Sequence, residues 1–220
     1  MNQDFNRLLA FSAEDRLGLF LATATRLGTT VQNIEKDFWV CWTPDALFNG
    51  LQPGGPRLLF KGGTSLSKGY GLIERFSEDI DITVFRADID AEASLEDLEK
   101  LSRTQRERRL NDIRSACQAF ISGPLKTQFE ELAAGLPIAG GQLLVTLDDG
   151  DTDGQSLLVQ YPALSGGDAY IRPAVKIEAG AKSALDPHNP QSLFPIRRMR
   201  AAISTSSLPT IFFDRISAVS

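Results

Sequence analysis

The chain has 220 residues, of which 42% are hydrophobic and 23% charged, so it can bury a sizeable core as one domain or as a domain with a helical appendage. Its formal net charge of −5 argues against an overall field that attracts nucleic acid, although a local basic patch would still allow an RNA partner. The sequence contains no apolar stretch of about 18 residues and no secretory leader, so we expect a cytoplasmic protein without a membrane partner.

The first 50 residues predict two amphipathic helices followed by a loop. Apolar residues recur at helical spacing over 7–27 and again over 34–48, where they predict one buried face. Trp39 and Trp42 on the second helix could form a base-stacking platform, but aromatic residues at this spacing more often belong to a core. Proline and glycine residues at 49–56 predict the loop.

The two cysteines do not form a disulfide framework. Cys41 lies within the apolar pattern of the second helix, and Cys117 is the only other cysteine of the chain. We therefore expect both to be reduced packing residues, as is usual in an intracellular protein.

A glycine-rich turn follows a short apolar strand at 58–60. Gly62 and Gly63 carry no Cβ atom, so a phosphate could approach the backbone closely there, and both tolerate a positive φ. Thr64 is a suitable N-cap for a following helix, and its hydroxyl is a further potential phosphate ligand. The sequence therefore predicts a strand, a phosphate-sized turn and a helix whose N-terminus favours anions.

Two carboxylates occupy the next strand. Asp79 and Asp81 are two residues apart, so both point to one face while Ile80 and Ile82 point to the other. Carboxylate oxygens together with substrate phosphates are the ligands that Mg²⁺ prefers. A glycine pair alone usually marks a tight turn, and an Asp-x-Asp alone usually marks a solvated strand face. Their combination in this order favours a nucleotide site.

The remainder of the chain predicts helices and then strands. Residues 95–135 read as one long helix or two, broken near Gly123 and Pro124. Strand-like segments follow at 143–147, 157–161 and 170–178. Prolines predict a rigid loop at 186–195, where His188 has no metal-ligand partner and is expected at the surface. The fold class is α+β, with a mixed β-sheet flanked by helices.

A cluster of arginines lies in the helical region. Its members are Arg103, Arg106, Arg108, Arg109 and Arg114. They could lie near a polyanion, but the neighbouring acidic residues favour a solvated helix face.

At this point the motifs carry a family resemblance. KGGTSLSK followed by RFSEDIDITV resembles the AbiEii-type nucleotidyltransferase toxins of type IV toxin–antitoxin systems, which belong to the DNA polymerase β-like superfamily. IEKDFWVCW upstream and YIRPAVKIEAGAKS downstream resemble the same family in the same order. The similar blocks extend from about residue 31 to about residue 183, and the block with the glycines and the Asp-x-Asp is the specific part.

The resemblance implies a polymerase β-like nucleotidyltransferase fold, an NTP substrate and Mg²⁺ held by Asp79 and Asp81. The residues expected to bind the triphosphate are Lys61, Gly62, Gly63, Thr64, Ser65 and Lys68. Lys176 matches the basic residue of the family's third motif, which contacts phosphate or assists proton transfer. Asp214 is the best candidate for the acidic residue of the fourth motif, although relatives tend to have Thr-Phe-Trp-Glu-Lys at this place.

Lys176 is a weaker candidate from the residues alone. It shares one face of a predicted strand with Glu178, and a polar strand face usually points to solvent. Glu178 could be the salt-bridge partner of Lys176 or a ligand.

The expected organisation is a single nucleotidyltransferase domain over 1–220. It comprises N-terminal helices at 1–50, a catalytic core at 57–183 and a C-terminal segment at 196–220. Relatives usually continue into further helices, so we expect this last segment to be truncated or to belong to a short variant.

The expected function is transfer of a nucleotide from an NTP to an RNA, such as a tRNA, or to a protein acceptor. The protein would then be the toxin of a toxin–antitoxin or phage-defence system, with a cognate antitoxin as partner. Two alternatives stay open: an impaired relative that only binds nucleotide or a partner, and an enzyme that modifies a small molecule such as an antibiotic.

Overall fold

The computed structural model describes residues 1–65, 79–164 and 172–181. Lys68, His188, Asp214, the loop at 186–195 and the segment at 196–220 lie outside the described residues, as does most of the helix expected after the glycines.

Five strands form one mixed sheet in the order β1-β2-β5-β4-β3. The strands are β1 (Leu58–Lys61), β2 (Asp79–Val84), β3 (Leu144–Leu147), β4 (Ser156–Gln160) and β5 (Ala174–Gly180). Strand β2 runs parallel to β5, and the other three pairs of neighbours are antiparallel. This sheet and its helices confirm the expected α+β class.

Seven α-helical segments accompany the sheet within the described residues. They are α1 (Gln3–Leu9), α2 (Ala13–Leu27), α3 (Val31–Asn49), the single turn α4 (Gly62–Thr64), α5 (Leu95–Lys100), α6 (Arg103–Phe120) and α7 (Lys126–Ala134). Helices α3, α6 and α7 contact the sheet. Within the described residues, no helix is long and apolar enough to cross a membrane.

The single helix expected over 7–27 is wrong, because the chain forms two helices there. Helix α1 ends at Leu9, and Ser12 caps α2 by accepting a hydrogen bond from the Asp15 N–H at 3.0 Å. Phe11 lies in the break and is exposed. The capping serine and the acidic residues that follow it favour the start of a new helix. This local signal outweighs the apolar periodicity that would continue a single helix.

The region from 95 to 135 is divided at a different place from the one expected. Ser102 starts α6 with a capping box that also involves Gln105, so α5 is a separate short helix. Near Pro124 the chain does not break but forms a π-helical stretch, Ile121–Leu125, before α7. The wider π turn accommodates a proline that can donate no hydrogen bond.

Helix α3 is buried on all sides rather than on one face. Every residue from 34 to 47 is buried, because α2 covers one side of the helix and strands β2 and β5 the other. Trp39 stacks on Tyr161 with ring centroids 5.4 Å apart, and Trp42 is also fully enclosed. Both tryptophans are therefore core residues, and Cys41 and Cys117 are buried thiols as expected.

Charged residues of α3 are buried with polar partners. The Lys36 ammonium donates to the carbonyl oxygens of Arg172, at 3.2 Å, and Ala174, which leads into β5. Glu35 accepts a hydrogen bond from the Leu164 N–H at 2.9 Å. A buried charge is tolerated only with such partners, so these contacts fix α3 against the start of β5.

Most of the arginine cluster makes contacts within the protein. Arg103 pairs with Glu107, and Arg114 pairs with Asp153. Arg106 and Arg109 donate to backbone carbonyls between 92 and 99 and so hold that segment against α6. These contacts support a structural role on a solvated helix face.

Replacing Lys36 by methionine tests the buried contact. We expect Lys36→Met to lower the free energy of unfolding by about 2–4 kcal/mol, because two carbonyl oxygens lose their charged donor in a buried site. Lys100→Met on the exposed surface of α5 is the matched control and should change it by less than about 0.5 kcal/mol. Urea denaturation measures both, and equal stabilities would contradict the importance of the contact.

Candidate active site

The two aspartates of β2 share one face of the sheet, as the sequence predicts. Ile80 and Ile82 are fully buried on the opposite face, whereas Asp79 is exposed and Asp81 is half-buried. Strand alternation places both carboxylates where a ligand could reach them.

The register of the sheet assembles two rows of polar residues. In the first row Asp81 lies between Lys61 of β1 and Glu178 of β5. In the second row Asp79 lies beside Lys176 of β5. Adjacent strands are about 4.8 Å apart, so these residues of three strands come together although Lys61 and Glu178 are 117 positions apart in sequence (178 − 61).

Position 62 must be occupied by a residue without a side chain. Its φ is +76°, which glycine adopts easily and other residues rarely do. A Cβ atom at this position would overlap the Asp81 carboxylate and would lie 2.7 Å from its Cγ. The glycine turn and the second aspartate therefore pack directly on each other.

Thr64 does not serve as the N-cap that the sequence suggested. Lys61 occupies the cap position, and the Thr64 hydroxyl donates to the Asp79 carbonyl at 2.5 Å. Ser65 donates to the Gly62 carbonyl at 2.8 Å. These two hydroxyls therefore tie the turn to β2 and to itself.

Lys176 binds two carboxylates. Its Nζ lies 2.8 Å from Glu178 Oε1 and 3.2 Å from Asp148 Oδ2. The pKa of Lys176 is raised, chiefly by the hydrogen bond to Glu178 and also by the one to Asp148, so the lysine is a cation at neutral pH. Glu178 thus acts as its salt-bridge partner, which was one of the two roles considered for it.

Asp148 was not identified from the sequence. It lies in an acidic glycine turn after β3, which reads as an ordinary hairpin connection. Only the order β5-β4-β3 brings the end of β3 near Lys176, and no local pattern indicates this order.

Asp81 is destabilised as an anion. Burial raises the pKa of its carboxyl, and the Glu178 carboxylate raises it further, while Lys61 acts in the opposite direction. A divalent cation would relieve this repulsion, so the donor chemistry fits Mg²⁺. Within the described ranges no three acidic, histidine or cysteine side chains are grouped to hold a metal ion.

A sheet face with paired aspartates beside a glycine turn is the kind of site that handles nucleoside triphosphates. Residues 45–220 match the family described as nucleotidyl transferase AbiEii toxin, type IV TA system, and the chain belongs to this family. The resemblance noted from the motifs is thereby confirmed.

Among solved structures, the chain is similar to MenT4, a nucleotidyltransferase toxin from Mycobacterium tuberculosis H37Rv. The identity is 16% and the TM-score 0.41, and the match covers 91% of this chain and 54% of that one. The chain thus spans about half the length of this relative. No curated protein matches it.

Substituting Gly62 tests the close approach to Asp81. We expect Gly62→Ala to displace the carboxylate and to cost roughly 1–3 kcal/mol of stability, because it combines overlap with an unfavourable φ. Gly18→Ala is the control, since a Cβ on that helical glycine meets open space and should stabilise by up to about 1 kcal/mol. Thermal denaturation measures both changes. A Gly62→Ala protein as stable as the parent would show that Asp81 can move away freely.

Neutralising Asp81 should stabilise the protein in the absence of divalent metal. A carboxyl with a raised pKa in the folded state contributes stability at low pH and loses it as the pH rises through that pKa. We therefore expect Asp81→Asn to raise the Tm at neutral pH by roughly 1–4 °C, and the gain to shrink in acid. Calorimetry in EDTA across pH 4–8 measures this. A lower Tm at neutral pH would show that the Lys61 contact outweighs the repulsion.

Proposed function

We propose that this protein is a Mg²⁺-dependent nucleotidyltransferase that moves a nucleotide from an NTP to an RNA or protein acceptor. The carrying observation is the pair of carboxylates, Asp79 and Asp81, on one sheet face against the Gly62 turn. We further propose that it acts in the cytoplasm as the toxin of a toxin–antitoxin or phage-defence system and is restrained by a cognate antitoxin. Family membership supports the toxin role.

The residues divide the chemistry between them. Asp79 and Asp81 would hold Mg²⁺, which when bound neutralises phosphate charge and favours in-line displacement at the α-phosphorus. The turn at Gly62 and Gly63 would admit the triphosphate close to the backbone, with Lys61 beside it. Lys176 is a fixed cation that would bind a phosphate oxygen and stabilise the charge that develops on the leaving pyrophosphate.

The other proposed residues complete this assignment. Ser65 and Thr64 would shape the triphosphate turn through the hydrogen bonds that they donate within it. Lys68 remains a candidate for phosphate because it follows the glycine turn and could add positive charge there. Asp214 remains the candidate from the family's fourth motif for a further carboxylate near the acceptor.

Loss of both aspartates should abolish transfer. We expect Asp79→Ala/Asp81→Ala to reduce labelling by at least about 10³-fold, because it removes both acidic ligands of the metal that stabilises the transferred phosphoryl charge. The measurement is incubation with each α-³²P-labelled NTP, Mg²⁺ and total cellular RNA, with and without protein acceptors. Asp112→Ala on the exposed face of α6 is the matched control and should label normally.

The outcomes separate the candidate functions. Label on a discrete RNA or protein band that disappears in the double variant supports the proposal and names the acceptor. NTP binding without any transfer would favour a binding-only relative instead. Growth arrest on induction, lost in the double variant and relieved by co-expression of a neighbouring gene, is the expected result for a toxin.

A further inference from the structure

The Lys176 ammonium contacts two carboxylates that differ in solvent exposure. Glu178 is two residues further along β5, on the same face, and its side chain is 46% exposed. Asp148 follows β3, two strands away across the sheet, and its side chain is only 15% exposed. The better enclosed partner is therefore the one that comes from a distant part of the chain.

Asp148 is itself fixed on all its polar groups. Its backbone N–H donates to the Ser156 carbonyl at 3.1 Å, and its carbonyl accepts from the Asp151 N–H at 2.9 Å. Its Oδ1 accepts from the Gly150 N–H at 3.2 Å, which leaves Oδ2 to face Lys176. The turn thus orients the Asp148 carboxylate independently of its contact with Lys176.

We propose that Asp148 is a positioning residue that orients the Lys176 ammonium so that it meets a phosphate of the bound NTP. This inference rests on the proposed function. A lysine side chain has four rotatable bonds and loses rotamer freedom when it is fixed. An ammonium that is already oriented does not incur this loss when phosphate binds or when charge develops in the transition state.

The geometry leaves room for substrate. An ammonium has three N–H donors, and the two carboxylates take two of them. The third can bind a phosphate oxygen without breaking the contact to Asp148. Asp148 therefore orients the lysine and does not have to leave before the substrate binds.

A purely structural role would be to tie the β3–β4 turn to the sheet. Asp148→Asn distinguishes the two roles, since the amide oxygen can still accept from Gly150 while the negative charge facing Lys176 is lost. Asp149→Asn is the matched control, because Asp149 is the next residue in the same turn, is exposed and forms no ion pair among the described residues.

The test is a double-mutant cycle with Lys176→Gln. We expect Asp148→Asn to lower kcat by about tenfold and to raise KM by about threefold, and Asp149→Asn to change neither. In the Lys176→Gln background the same Asp148→Asn change should cost less than about twofold, because the lysine that it positions is gone. Asp148→Glu should restore part of the loss, and urea denaturation should show that every variant is folded.

Two results would overturn the inference. One is an equal loss of activity from Asp148→Asn in both backgrounds, which would indicate a role independent of Lys176. The other is unchanged kcat in the Asp148→Asn protein.

A second readout separates this inference from the proposed function. If the parent protein transfers no nucleotide, the proposed function fails. The same four proteins of the cycle are then compared by the Kd with which each binds a non-hydrolysable NTP analogue in the presence of Mg²⁺. Coupling between the two substitutions in Kd supports positioning of a phosphate-binding lysine, and additive effects contradict it. Absence of NTP binding by the parent protein contradicts both proposals.

Discussion

The parallel pairing of β2 with β5 is the constraint on which the rest of the structure depends. It sets Asp79 beside Lys176 and Asp81 beside Glu178, and on the other face it sets Ile80 beside Ile177. A slip by one residue would turn the isoleucines to the polar face and bury the carboxylates in the core. Because burying unpaired charges costs far more than exposing isoleucine, core formation and site assembly select the same register.

Long cationic side chains fix both ends of β5 in that register. At its start the Lys36 ammonium, on α3, binds the carbonyls of Arg172 and Ala174. At its end Arg86, just after β2, donates to the Ala181 carbonyl. Burial lowers the pKa of Arg86, so this clamp carries a desolvation cost. The contact fixes the position of β5, because it prevents this strand from sliding along β2 and moving Lys176 away from Asp79.

Local features of this fold could be predicted from the sequence, and non-local ones could not. Alternation around Asp79 and Asp81 predicts the strand and its acidic face, since strand geometry alone determines it. The break before α2 also has a local signal, a capping serine at Ser12, but apolar periodicity obscured it. The strand order has no local signal, because it follows from which faces can bury each other.

The same distinction explains the candidate site. Family motifs indicate the glycines, the aspartates and Lys176, whereas Asp148 reaches Lys176 only through two strand pairings. Thr64 was expected to cap the helix because Thr commonly does so. Lys61 occupies the cap position instead, and the Thr64 hydroxyl donates to the Asp79 carbonyl in β2. Single-residue propensity decides such details only when tertiary contacts do not compete for the same group.

Among the described residues, this part of the sheet holds more carboxylates than cations. Along the two rows and the adjoining turn the acids are Asp79, Asp81, Glu178 and Asp148, and the cations are Lys61 and Lys176. Lys176 neutralises acids at the edge of this group, and Asp81, pressed against Gly62, keeps a raised pKa. Because burial and the Glu178 carboxylate both disfavour the charged form of Asp81, a divalent cation bound there would stabilise that carboxylate. Glu178 and Asp148 therefore do more than fix one lysine. With Lys176 paired to both of them, Lys61 is the lysine beside Asp81 in its row of the described sheet.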